Sequence, residues 1–208
     1  MNFRTFVLIV LFALFGKSKS ENDAKINPRI INGVEAPVGR TKFQVSIRLK
    51  AHDRVFGSGH ICGGSLIGPN KVLTAAHCLY NSDRKRYRKA SEFIVVMGTQ
   101  NRYTRVNGTI VSGVSSIAYM NSFSLDTMRD DVGVMFLQTG LPVNKTHLTV
   151  APIGLSNYSI PAGTQCQVSG WGKTSQVYLE KIAHRINMVS CCSEKYFNQN
   201  KKVCYLSI

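Results

Sequence analysis

Apolar and polar residues alternate over Phe43-Gln44-Val45-Ser46-Ile47-Arg48-Leu49. That period of two predicts a half-buried strand. Short runs suited to further strands follow at residues 60–67, 92–98, 109–119, 132–137, 148–153, 165–170 and 182–189. Gly, Asn, Ser and Pro separate them, as they do where turns join short strands. No stretch carries the 3.6-residue period of a long amphipathic helix. The pattern predicts an all-β protein, barrel or sandwich.

The first twenty residues stand outside this pattern. Arg4 gives a positive start, Phe6 to Phe15 is an unbroken apolar run, and Ser18 and Ser20 are small residues placed for cleavage. Residues 1–20 read as a secretory signal peptide, too short for a comfortable membrane span. No later run is long and apolar enough to cross a bilayer. A secreted, extracellular location follows, and in an oxidising compartment the six cysteines read as disulfide partners.

The chain has 208 residues and 44% hydrophobic composition, within the range of a globular protein of one ordinary or two small domains. Its formal net charge of +15 points toward acidic partners, although part of that charge lies in the N-terminal segments. No nucleic-acid motif accompanies it. The densest basic stretch, residues 81–89 (NSDRKRYRK), reads first as a solvated loop. Asn107, Asn144 and Asn157 each open a glycosylation sequon.

Three places offer chemistry. Leu73-Thr74-Ala75-Ala76-His77-Cys78 ends in a histidine beside a cysteine, and a Cys62–Cys78 bridge would pin His77. An imidazole titrating near neutrality suits a general base. The same string also suits a buried histidine beside a structural disulfide. Asp130 and Asp131 precede the apolar run 132–137, where a carboxylate would sit at a strand edge. A carboxylate against His77 would fix its tautomer, though spacing alone does not bring the two together. Residues 21–29 form a polar tether, and Arg29 before Ile30-Ile31-Asn32-Gly33 has the look of a processing site that frees the Ile30 amino group.

In this order the motifs resemble those of the trypsin/chymotrypsin-like serine endopeptidases of the secreted zymogen type. The resemblance rests on Arg29 with Ile30-Ile31-Asn32-Gly33, Cys62-Gly63-Gly64-Ser65-Leu66, Leu73 to Cys78, Asp131-Val132-Gly133-Val134, and Cys166-Gln167-Val168-Ser169-Gly170-Trp171-Gly172 with the only tryptophan. It implies a chymotrypsin-like double antiparallel β-barrel with the site in the cleft between barrels. His77 becomes the general base and then acid, and Asp131 orients it, with Asp130 one residue too early. Residues 21–29 become an activation peptide and residues 30–208 the protease domain. The implied partners are a polypeptide substrate and an activating protease that cuts after Arg29. The protein is expected to be a monomer, with no cofactor, metal, nucleic acid or membrane span.

The family's nucleophilic serine lies in a Gly-Asp-Ser-Gly-Gly segment, and no such segment occurs in these 208 residues. The expectation is a chain cut short: first barrel complete, second incomplete, with nucleophile, oxyanion hole and specificity pocket missing, and so inactive as it stands. Ser58 precedes His77 in the first barrel and reads as a loop residue. The resemblance pairs Cys204 with Cys191 or Cys192 and leaves Cys166 with the unused member of that pair, or free. Two other readings compete: a non-catalytic homologue acting as a secreted binding or decoy protein, and a secreted cationic binder using the Arg84 to Lys89 loop.

Overall fold

The computed structural model describes residues 34–141, 147–158, 161, 164–172 and 185–190. Its centre is a closed barrel of six antiparallel strands, in the order β2 (Gln44–Leu49), β3 (His60–Gly68), β4 (Lys71–Thr74), β9 (Gly133–Leu137), β8 (Ile110–Tyr119) and β7 (Phe93–Met97). A second sheet holds β1 (Val34–Glu35), β11 (Arg185–Ser190) and β10 (Gln165–Gly170) in that order. Closure leaves the barrel no free edge, so every strand is paired on both sides. The all-β, chymotrypsin-like class expected from the sequence is the class found.

The barrel interior follows from the alternation. Val45, Ile47, Leu66, Val72, Phe93, Val95, Met97 and Met135 are fully buried in one cluster. Burial of each such side chain contributes about 1.5–3 kcal/mol. Gly64 is required at its position in β3. A Cβ there would lie 2.8 Å from Val72 Cγ1 and 3.0 Å from the Leu73 carbonyl oxygen, inside contact distance.

Several expectations are corrected in detail. β2 is buried on both faces, not one. Its polar side chains find partners on neighbouring strands, where Gln44 meets Gly64 and Ser169 and Ser46 meets His60, and Arg48 takes further partners from loops. Arg48, fully buried, donates to Ser46 Oγ at 2.9 Å and to the Arg102 carbonyl at 2.8 Å, and pairs with Asp53 at 3.3 Å. Its guanidinium also lies 4.2 Å from the Phe56 ring centroid. Asp53 Oδ1 in turn accepts the Gly57 and Gly59 amides. A guanidinium can be buried at tolerable cost only when its donors are satisfied in this way. Residues 148–153 are not a strand. They form a bend and irregular chain held to the barrel where Ala151 N–H donates to the Lys42 carbonyl and Ile153 N–H to that of Leu66. Lys71–Thr74, whose last two residues open the His77 motif, form β4, a strand the alternation does not predict. Residues 81–89 are not one open loop, because Tyr80–Asn81 (β5) pairs with Arg86–Tyr87 (β6) as a small hairpin.

The tryptophan signature joins the second sheet to the barrel. Trp171 is buried, and its Nε1–H donates to the Gln100 carbonyl at 2.6 Å. Its ring meets His60 edge-on with centroids 5.6 Å apart. Nearby, Ser169 Oγ–H donates to Gln44 Oε1 at 2.7 Å.

Candidate active site

His77 lies in a single helical turn, α1 (Ala76–Leu79), between β4 and β5. The turn is anchored from both sides. Ala76, Cys78 and Leu79 are buried, and the Cys62–Cys78 disulfide ties it to β3 across a sequence separation of 16. His77 is thereby left as the one residue of the turn that faces outward.

Asp131 reaches it through strand pairing. β4 and β9 are antiparallel neighbours with Thr74 opposite Gly133. The residues that follow β4 and those that precede β9 therefore emerge at the same barrel end. Asp130, in a left-handed conformation (φ 54°), turns the chain just before β9, and its carboxylate faces Arg129 at 3.7 Å. Asp131 Oδ2 accepts His77 Nδ1–H at 2.7 Å and Oδ1 accepts the His77 backbone N–H at 2.8 Å, across 54 residues of chain. Both carboxylate oxygens are thus committed to one residue. Asp131 has 13% of its side chain exposed against 36% for His77. A shielded carboxylate beside a reachable imidazole selects the Nδ1–H tautomer and leaves the Nε2 lone pair for proton transfer. Cys78 Sγ lies 3.4 Å from Nε2. Cys62 and Cys78 share a site with His77 compact enough for a metal ion, but both sulfurs are spent in the disulfide and offer no thiolate.

Two features of this site were not legible in the motifs. Gly133 lets α1 lie against β9: a Cβ there would come 2.7 Å from Leu79 Cδ1 and 3.2 Å from the Ala75 carbonyl oxygen. A tyrosine group flanks Asp131. Tyr87 stacks on Tyr119 with centroids 3.4 Å apart, and Tyr80 meets Tyr87 edge-on at 5.3 Å. Burial first, then the neighbouring phenols and the Asp131 charge, raise the Tyr87 phenol above its ordinary pKa. The signal for the tyrosines was their placement on strands next to the His77 and Asp131 motifs.

Of the other expected site residues, Asn107 and Asn157 are exposed, while Asn144 lies outside the described residues. Ser58 is an exposed loop residue whose hydroxyl donates to the His52 carbonyl. Cys166 is on β10 opposite Val189, but its side chain lies outside the description. Arg29, Ile30, Cys191, Cys192 and Cys204 also lie outside the described residues.

A histidine clasped by a carboxylate at the rim of a six-stranded antiparallel barrel defines the chymotrypsin-like class of β-barrel protein. Residues 30–205 match the family model described as trypsin, and the chain belongs to that family of serine proteases. Trypsin theta of Drosophila melanogaster is 32% identical over 177 residues, covering 81% of this chain and 60% of that protein. Serine protease SP24D of Anopheles gambiae is 33% identical over 148 residues, covering 71% of this chain and 48% of that protein. Trypsin eta of Drosophila melanogaster is 28% identical over 196 residues, covering 92% and 71%. The chain thus spans between about half and seven-tenths of the length of these curated relatives.

Proposed function

We propose that this chain carries the acid–base half of a secreted trypsin-like serine endopeptidase. His77 is the general base and then the general acid, and Asp131 is its orienting carboxylate. The single observation that carries this reading is the two-point clasp of His77 by Asp131, at 2.7 and 2.8 Å. A merely structural histidine has no need of a carboxylate on both its ring and its own amide, on a side chain that is 36% exposed. The substrate is a polypeptide, as the names of the trypsin relatives suggest. The serine that would attack it has no Gly-Asp-Ser-Gly-Gly setting within residues 1–208. Residues 1–208 thus supply a base and no assigned nucleophile.

Nitrogen-15 spectra of the imidazole test the pair directly. Neutral His77 is expected as the Nδ1–H tautomer. In Asp131→Asn, an amide N–H facing Nδ1 shifts the population toward Nε2–H. An unchanged tautomer in the variant would remove the argument for Asp131. Where the nucleophile is present, that exchange is expected to lower kcat about 10⁴-fold by leaving the wrong tautomer.

Sequencing transcripts through the codon for Ile208 tests the enzyme class. Continuation into a Gly-Asp-Ser-Gly-Gly segment supports the protease reading. Termination at that codon in every transcript favours the non-catalytic, decoy-like homologue.

Secretion and zymogen activation belong to the same proposal. Protein collected from medium should begin at Glu21, and cleavage after Arg29 by a protease specific for basic residues should expose Ile30. A fully active Arg29→Gln form that keeps residues 21–29 would end the zymogen reading. Asn107, Asn144 and Asn157 are the proposed glycosylation sites; Asn107 and Asn157 are exposed as such sites must be.

A further inference from the structure

The hairpin that follows His77 carries a charge that the acid–base pair leaves unexplained. Residues 83–89 hold five cationic side chains and one acid, Asp83. Not all of the five are free. Arg86 pairs with Glu92 at 3.0 Å and donates to the Tyr87 carbonyl, and Arg88 is half-buried with its Nε enclosed by protein. Arg84, Lys85 and Lys89 are exposed and make no ion pair among the described residues.

The turn that presents Arg84 and Lys85 is built to a fixed shape. Asn81, buried, accepts the Arg84 N–H on its side-chain oxygen at 3.0 Å. Lys85 N–H donates to the Ser82 carbonyl, and Lys85 itself holds a left-handed φ of 47°. A non-glycine residue in that region is uncommon and persists where its surroundings determine it. The base of the hairpin is fixed to the site. Tyr80 follows α1 without a gap, Arg88 N–H donates to the Leu79 carbonyl at 2.8 Å, and Tyr87 stacks on Tyr119. A cationic tip is therefore held at a constant position relative to His77.

We propose that Arg84 and Lys85 recognise an acidic side chain in the polypeptide that engages His77. The inference rests on the proteolytic reading and adds a preference to it. Arg84 and Lys85 follow His77 by seven and eight residues, so at about 3.3 Å per residue the tip lies at most about 25 Å from His77, a span that an extended substrate covers within several positions of the reacting bond. A sulfated or otherwise polyanionic glycan is disfavoured by the layout. Arg86 is paired with Glu92, Arg88 is half-buried, and Asp83 sits beside Arg84, so the exposed charge is a short point rather than the long stripe a linear polyanion needs. Fixed charges at the mouth of a site also raise the encounter rate of an oppositely charged partner, and added salt screens that effect.

The test uses the 208-residue chain labelled in histidine and in backbone nitrogen. It is titrated with a heptapeptide Gly-Glu-Glu-Gly-Glu-Glu-Gly, with its glutamine counterpart, and with a heparin-derived octasaccharide. The glutamate peptide is expected to shift both the Lys85 amide and the His77 resonances, and the glutamine peptide to bind more weakly. The variant Arg84→Gln with Lys85→Gln should bind the glutamate peptide about tenfold more weakly, from about threefold per exposed charge pair. Arg84→Glu with Lys85→Glu should reverse the preference toward a lysine peptide, a result that loss of local structure would not give. Equal binding of the glutamate and glutamine peptides overturns the proposal. So does preferential binding of the octasaccharide that leaves His77 unmoved. The His77 tautomer in the same spectra reports on the proteolytic reading separately, so a failed peptide preference with an intact Nδ1–H tautomer sinks only this inference.

Discussion

His60 shows how far one side chain can be moved by its surroundings. Burial first, then the charges of Arg102 and Arg48, hold its imidazole down at about 4, with Asp53 opposing. Ser46 Oγ lies 2.8 Å from His60 Nδ1 and already accepts the Arg48 Nε–H, so its own hydroxyl hydrogen is available to a neutral imidazole. The folded pKa is depressed below the ordinary value of about 6.5. The unfolded chain therefore binds more protons between those two values. Stability is fully present above pH 6.5 and falls as pH drops toward 4. The loss is on the order of 3 kcal/mol. Denaturant titrations of His60→Gln across pH 4–7 should show a flatter acid slope than the parent; an identical slope would assign the acid sensitivity to carboxylates instead. Asp131 illustrates the complementary case. Its two oxygens serve two donors of one residue, so its removal would strand a backbone N–H as well as the ring.

At the scale of elements, the site depends on how closely α1 approaches β9. Gly133 sets that distance, because a Cβ at this position would meet the buried Leu79 side chain and the Ala75 carbonyl. Gly133→Ala is expected to cost about 1–3 kcal/mol through overpacking. It should also lengthen the His77 to Asp131 contacts, seen as loss of the downfield Nδ1–H proton resonance. Leu79→Ala in the same background should restore that resonance while adding a cavity cost of about 2–5 kcal/mol. Unchanged spectra in Gly133→Ala would show that the turn tolerates displacement. The motif Asp131-Val132-Gly133-Val134 was readable as a unit, but the reason for its glycine was not. The close approach involves α1, which is distant in sequence. The same limit explains residues 148–153, where Val150 joins the hydrophobic core while Leu148 and Ile153 stay exposed, without membership of a sheet. It also explains β4, four residues long with alternating burial, too short for periodicity to declare.

For the molecule as a whole, the barrel is closed by hydrogen bonds and held at the site by one covalent link. Cys62 on β3 and Cys78 in α1 span 16 residues, and such a loop closure contributes about 3 kcal/mol in the chain-entropy account. Replacing both cysteines by alanine should lower unfolding free energy by about that amount in denaturant titrations. His77 should also become more mobile in relaxation measurements. A loss below about 0.5 kcal/mol would mean that the reduced chain retains the loop through packing alone. The second sheet is tied to the barrel by side chains rather than strands, through Trp171 to Gln100 and Ser169 to Gln44. The tryptophan motif, legible as a family signature, is physically a rivet between two sheets.

The sequence by itself determined the fold class, the candidate base and the bridge that holds it, because these are local facts: alternation of period two, and a histidine adjacent to a cysteine. It also determined the family, since the motifs keep a fixed order that composition would not produce. Only the tertiary structure decided that His77 and Asp131 meet. That meeting depends on the antiparallel register of β4 and β9, which carries the residues on either side to one barrel end across 54 positions. Only the structure decided, too, that the polar face of β2 is buried. A polar residue in an alternating strand reads as solvent-facing until the loops that satisfy Arg48 are in place. Sequence periodicity records which way a side chain points, and the partners it finds there are set by chain segments far away.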